Sequence, residues 1–110
     1  MHVTNDYLLR ERALASYLKS LILESEEKYG EALLYACDAA SLNNVDYSPL
    51  ILIADIISCE NDNRNVAEKL YFMSLDVARK MPKDTRGLDH DINRLQSILD
   101  SLKNREEQSD

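Results

Sequence analysis

Tryptophan is absent from this 110-residue chain, and glycine, proline, cysteine and histidine occur only twice each. With so few chain breakers and 45% hydrophobic residues, the composition excludes a low-complexity or disordered chain and suits a compact helical one. Strand content is expected near zero. Two cysteines cannot build a disulfide framework; Cys37 and Cys59 lie in apolar stretches, where a free thiol behaves as a small hydrophobe in a reducing compartment, so a cytoplasmic location is expected. Long hydrophobic runs are missing too. The longest, residues 50–57, is interrupted by Asp55 and falls far short of the roughly 20 residues a spanning helix needs. Residues 1–6 show no basic region followed by an apolar one, so no secretion signal is expected. Positive charge is scarce, with thirteen Lys and Arg against twenty Asp and Glu and a net charge of −7. That balance disfavours nucleic acid and anionic membranes as partners. It leaves solubility, or a basic partner surface, as the work of the acidic side chains.

What is present is helical periodicity, and the length fits one domain over residues 1–103 with a disordered polar tail expected at 104–110. The first helix is expected from an N-cap at Thr4 or Asn5 to about Glu26, with Tyr7, Leu14, Tyr17, Leu18, Leu21 and Ile22 as its core stripe. Gly30 and the charged residues 26–28 mark a break. The second helix, about 31–42, carries alanines at 32, 36, 39 and 40, small residues that let another helix approach closely; with Asp38 its only strongly polar interior residue, it is expected to be mostly enclosed. Ser48 as a capping hydroxyl followed by Pro49 predicts a third helix starting at Pro49, apolar on nearly all sides and therefore central and buried. Asn65 with Glu68 resembles a capping box for a fourth helix, which Pro82 stops; its predicted core stripe is Val66, Ala67, Leu70, Ser74, Val77, Ala78 and Met81. Asp84 or Thr85 is expected to cap a fifth. There Leu88, Ile92, Leu95, Ile98, Leu99 and Leu102 form a narrow stripe suited to a terminal lid.

The predicted architecture is all-α: about five antiparallel helices, in two helical hairpins plus a C-terminal capping helix. The pattern Tyr29, Gly30, Glu31, Ala32 with a second small residue at Ala39 resembles the second helix of a tetratricopeptide repeat, and Pro82 falls where that family often closes a repeat. The resemblance covers residues 29–44 and, less well, 66–82, which align at an offset of 38 residues. It implies stacked hairpins and a protein-binding scaffold. An irregular helical bundle accounts for the same periodicity. The small size and acidic charge are also similar to the general profile of bacterial secretion chaperones and of toxin-neutralising immunity proteins.

No catalytic, cofactor or metal site is expected. Asp89, His90 and Asp91 are consecutive and so point in different directions on a helix, while the positions three and four residues from His90 hold Arg86, Gly87, Asn93 and Arg94, which are poor or repulsive as ligands. Arg86 and His90 resemble the Arg and His pair of helical HEPN ribonucleases, with three residues between them where that family has four to six. Glu26 and Glu31 lack an opposing acid, base or nucleophile, His2 supports no Ser or Cys dyad, and no glycine-rich phosphate loop is present. The chain is expected to be a non-enzyme.

Apolar side chains on polar faces carry the functional expectation. At about 100° per residue, Phe72 and Leu75 face away from the predicted Leu70 and Val77 stripe, and Leu9 and Leu23 away from Tyr17 and Leu21. These four are the candidate partner-binding residues, for a protein partner or self-association, with no small-molecule ligand. The function expected is that of an interaction module: adaptor, chaperone-like protein or regulatory subunit. An inhibitor of a basic target, or a HEPN-like ribonuclease, is the alternative.

Overall fold

The computed structural model describes the backbone of residues 2–43, 46–61 and 64–108, and the side chains of residues 7–43, 46–59 and 64–104. Five α-helices follow one another: α1 (His2–Ser25), α2 (Tyr29–Leu42), α3 (Ser48–Asn61), α4 (Arg64–Arg79) and α5 (Leu88–Gln108). The fold is all-α. Neighbours α1 and α2, α3 and α4, and α4 and α5 pair antiparallel, and α2 packs on α3. Because contact runs mainly from each helix to the next, the helices form a slab of 56 × 34 × 18 Å with α3 in its middle.

Local chemistry sets most boundaries, with several displaced from expectation. Gly30 lies in the first turn of α2 and breaks nothing. The break is made by Glu27, held in the left-handed region at φ 61°, with Lys28 N–H donating to the Leu23 carbonyl and Glu27 N–H to that of Glu24. This is a Schellman ending with glutamate at the position that favours glycine. Ser48 is the first residue of α3 and not its cap; its N–H donates to the Asp46 carboxylate at 3.0 Å, while the Tyr47 carbonyl accepts the first helical bond from Ile51. Asn65 lies inside α4, so it does not open a capping box; residues 62–63 fall outside those described. Asp84 and Thr85 precede a turn, and Gly87, at φ 75°, supplies the carbonyl that accepts the first bond of α5 from Asp91. The expected cap at Thr4 or Asn5 falls on helical backbone whose side chains are outside those described. α5 stays helical to Gln108, beyond the boundary expected at residue 103, since residues 104–108 contain neither Gly nor Pro.

Two apolar clusters meet at α3. Ile51 and Ala54 join Tyr47, Ala67, Tyr71, Leu75, Ala78, Leu88, Leu95, Leu99 and Leu102 on the α4 and α5 side. Leu52, Ile53 and Ile56 join Leu23, Ala32 and Ala36 on the α1 and α2 side. α3 is thus the central buried element its composition predicted. The α4 stripe is rotated relative to expectation: Ala67, Tyr71, Ser74, Leu75 and Ala78 are buried and Val66 is exposed, because α5 covers the Leu75 side of the helix. α2 is one-sided and not enclosed. Ala32, Ala36 and Ala39 are fully buried, whereas Leu34 and Cys37 are exposed, as is Cys59 on α3; neither thiol is a core residue.

Candidate protein-interaction surface

The seam between α1 and α2 is built from small side chains. Ala13, Ser16 and Ser20 are buried on α1 against the alanine face of α2, and the Ser20 hydroxyl donates to the Ala32 carbonyl at 2.6 Å. A side chain as short as serine reaches a neighbouring main chain only where the two backbones lie close. Ser16 donates to Asp38 at 2.7 Å, Arg12 lies 3.9 Å from the same carboxylate, and the Lys19 ammonium sits 4.6 Å from the Tyr35 ring centre. These polar contacts fix the register of the hairpin.

The consequence falls on the other side of α1. Leu14, Leu18 and Ile22, expected in the core, are 52%, 49% and 60% exposed, and Tyr7 and Leu8 are exposed as well. At about 100° per residue Tyr7, Leu14, Leu18 and Ile22 share one quadrant of the helix; Glu11 interrupts it after Tyr7, and Leu14, Leu18 and Ile22 form a continuous apolar ridge and not scattered leucines. Tyr17 and Leu21 border it, half-buried against the α3 side.

The four residues singled out from sequence do not come together. α1 and α4 make no contact, so Leu9 and Leu23 are separated from Phe72 and Leu75. Leu23 is buried in the α1–α2–α3 cluster and Leu75 in the α3–α4–α5 cluster; neither is available to a partner. Their faces read as polar in the single helix, but neighbouring helices cover them. Leu9 and Phe72 are exposed. Phe72 borders a shallow groove of about 320 Å³ between α4 and α5, with Leu75 and Leu99 among its walls and Glu68, Arg79, Asp100 and Lys103 around it. Sequence inspection missed the α1 ridge, although a signal was present. Ala13, Ser16 and Ser20 repeat at helical spacing on the opposite face and match the alanines of α2.

A second feature is a cleft of about 290 Å³ between α1 and α5 over α3, lined by Tyr17, Leu21, Glu24, Ser48, Asp55, Asp91 and Arg94 among others. Two of its carboxylates, Asp55 and Asp91, are already engaged. Tyr47 Oη donates to Asp91 at 2.5 Å, Tyr71 Oη donates to Asp55 at 2.5 Å, and Arg94 lies 3.2 Å from Asp55. Burial, then the hydrogen bond to Asp91, raises the Tyr47 phenol above its ordinary value; burial and the bond to Asp55 do the same for Tyr71. Tyr17 is also raised, by burial first and then by the charges of Asp46, Asp91, Asp55 and Glu24. These groups clamp α3 to α4 and α5 and leave one wall of the cleft acidic. Arg86 and His90 are both exposed, and Asp91 is committed to Tyr47 and not to its neighbour His90. Among the described residues no group of three or more His, Cys, Asp or Glu could hold a metal ion, and no helix is long and apolar enough to cross a membrane.

Compared with protein-family models, with curated proteins and with solved structures, the chain matches none.

Proposed function

We propose that this chain is a small acidic protein-interaction module, an adaptor, chaperone-like protein or regulatory subunit, which docks a protein partner against the apolar ridge of α1. The observation that carries this is the exposure of Leu14, Leu18 and Ile22 together on a helix whose other face is already packed. An apolar ridge of this kind gains by burial against a complementary helix, as in helix-in-groove recognition. Exposed Phe72 is the site of a weaker, separate contact. The serial packing of antiparallel helices supports the tetratricopeptide-like reading, in which hairpins stack to present a binding face.

A photo-crosslinking residue placed at Leu18 in the native cell is expected to trap a protein, and one placed at Lys83, which lies on a polar turn, is not. A crosslinker at Leu18 that traps nothing would remove α1 as a docking face. The second reading, inhibition of a basic target, is favoured by the net charge of −7 and by Glu24 on the wall of the α1–α5 cleft. Binding of that kind weakens steeply between low and high salt, whereas docking on the ridge is much less affected.

A further inference from the structure

We infer that the cleft over α3 takes up one arginine side chain of a protein partner, its guanidinium against the Tyr17 ring and between the walls that α1 and α5 contribute. The inference goes beyond docking on the ridge and does not rest on it, because Leu18 and Ile22 lie outside the cleft. It shares with the basic-target reading the sign of the ligand's charge, and adds where that charge sits. At about 290 Å³ the cleft falls just short of the roughly 300–1,000 Å³ of a site for a whole small molecule, and it suits one long side chain. Its walls carry Glu24, Asp55 and Asp91 against Arg94, a net charge of −2. The complement is a cation.

The walls are fixed before a ligand arrives. Tyr47 and Tyr71 each donate one hydrogen bond, to Asp91 and Asp55, and a carboxylate has about four acceptor sites, so both keep their charge and sites to spare. Arg94 is turned onto Asp55 at 3.2 Å and offsets that charge. Among the described residues no cation pairs with Glu24 on α1 or Asp91 on α5, so negative charge stands uncompensated on two walls. Tyr17 stands among these charges. Its hydroxyl, unlike those of Tyr47 and Tyr71, has no hydrogen-bond partner among the described residues, and after burial the groups that raise its phenol are Asp46, Asp91, Asp55 and Glu24. A half-buried aromatic ring in such a field attracts a cation through the ring face and through the carboxylates together. Guanidinium fits better than ammonium, being flat enough to stack on a ring while its five donors reach carboxylates on two walls. Because those carboxylates are already held, little ordering is lost on binding.

Titration of Nα-acetyl-arginine amide into the isotope-labelled full chain, followed through amide chemical shifts, tests this. Saturable shifts are expected at Tyr17, Leu21, Glu24, Leu52 and Asp91, with a dissociation constant of about 1 mM, the scale for a single side chain. The citrulline amide, of the same shape without the charge, should bind about ten-fold more weakly, and the lysine amide about three-fold more weakly. Glu24→Gln and Tyr17→Leu should each weaken the arginine amide about three-fold with the rest of the spectrum retained. Asp76→Asn, at an exposed carboxylate paired with Lys80, should leave it unchanged. No shift, shifts spread equally over Asp76, Asp84 and Asp89, or equal affinity for the citrulline amide overturns the site; equal affinity for the lysine amide overturns the choice of guanidinium. Free arginine adds an α-carboxylate that the acidic walls repel, so it should bind more weakly, and tighter binding overturns a protein side chain as the occupant. Loss of this site leaves the ridge standing, since the Leu18 crosslink tests that face by itself.

Discussion

The two terminal helices, α1 and α5, are both long, both edge elements of the slab and both striped with leucine and isoleucine, yet they dispose of their stripes in opposite ways. On α5 the stripe is spent on the core: Leu88, Leu95, Leu99 and Leu102 are buried against α3 and α4. On α1 the large residues point outward, and Ala13, Ser16 and Ser20 take the buried face. The difference originates in the neighbour. α4 offers α5 a surface that includes Tyr71 and Leu75, with spaces that large side chains fill. α2 offers α1 three fully buried alanines and an accessible main-chain carbonyl, against which small residues pack closest. A closure of bulky side chains stabilises the fold by the apolar area it removes from water; a closure of small ones gains from close contact and leaves the bulky stripe unburied.

Mutations that exchange these roles should separate the helices sharply. Leu95→Ala, at a fully buried position of α5, is expected to cost about 2–5 kcal/mol in urea unfolding, through lost burial and the cavity left behind. Ser20→Leu inserts bulk into the α1–α2 seam and removes the bond to Ala32, for a loss of about 1–3 kcal/mol and a hairpin more open to amide exchange. Tyr71→Phe deletes the phenol that bonds Asp55 and should cost about 1–2 kcal/mol at neutral pH. Glu27→Gly relieves the left-handed residue between α1 and α2 and should add up to about 1 kcal/mol, read as a higher melting temperature. Leu18→Ala should stay within about 0.5 kcal/mol of the wild type, because the side chain it trims is not in the core. If Leu18→Ala and Leu95→Ala cost the same, the contrast between the helices is wrong.

The tyrosine network adds a pH dependence to the α5 side. Tyr47 and Tyr71 ionise at higher pH in the folded chain than in the unfolded one, so above the ordinary phenol value near 10 the folded state holds more protons. Stability is therefore fully present below about pH 10 and falls as the pH climbs from there toward the folded values. In Tyr47→Phe/Tyr71→Phe the alkaline decline in denaturant midpoint should be shallower, with the remainder including the contribution of Tyr17.

Much of the fold was legible in the chain. The α5 stripe emerged as expected because its leucines and isoleucines repeat on one narrow face of an otherwise polar helix. The central place of α3 followed from its lack of any polar side apart from Asp55 and a few small groups. Helix ends were less legible, because backbone geometry supplied what side chains were expected to: Gly87 in place of Asp84 or Thr85, and Glu27 in place of Gly30. The binding candidates split. Phe72 and Leu9 are exposed, but Leu75 and Leu23 are covered by helices distant in sequence, and no periodicity within one helix reveals what a second helix will cover.

The sequence by itself determined that this chain is helical, roughly where each helix runs, and that α3 and α5 bury their large side chains, since these depend on residues within a few turns of one another. Which side of α1 faces inward was decided only by tertiary structure. Hydrophobic periodicity pointed to Leu14, Leu18 and Ile22, but the alanine face of α2 admits a helix closely only through small residues, and Ala13, Ser16 and Ser20 provide them. Close contact between two backbones, with the Ser20 hydrogen bond across it, outweighed the burial of three large side chains and turned that stripe outward.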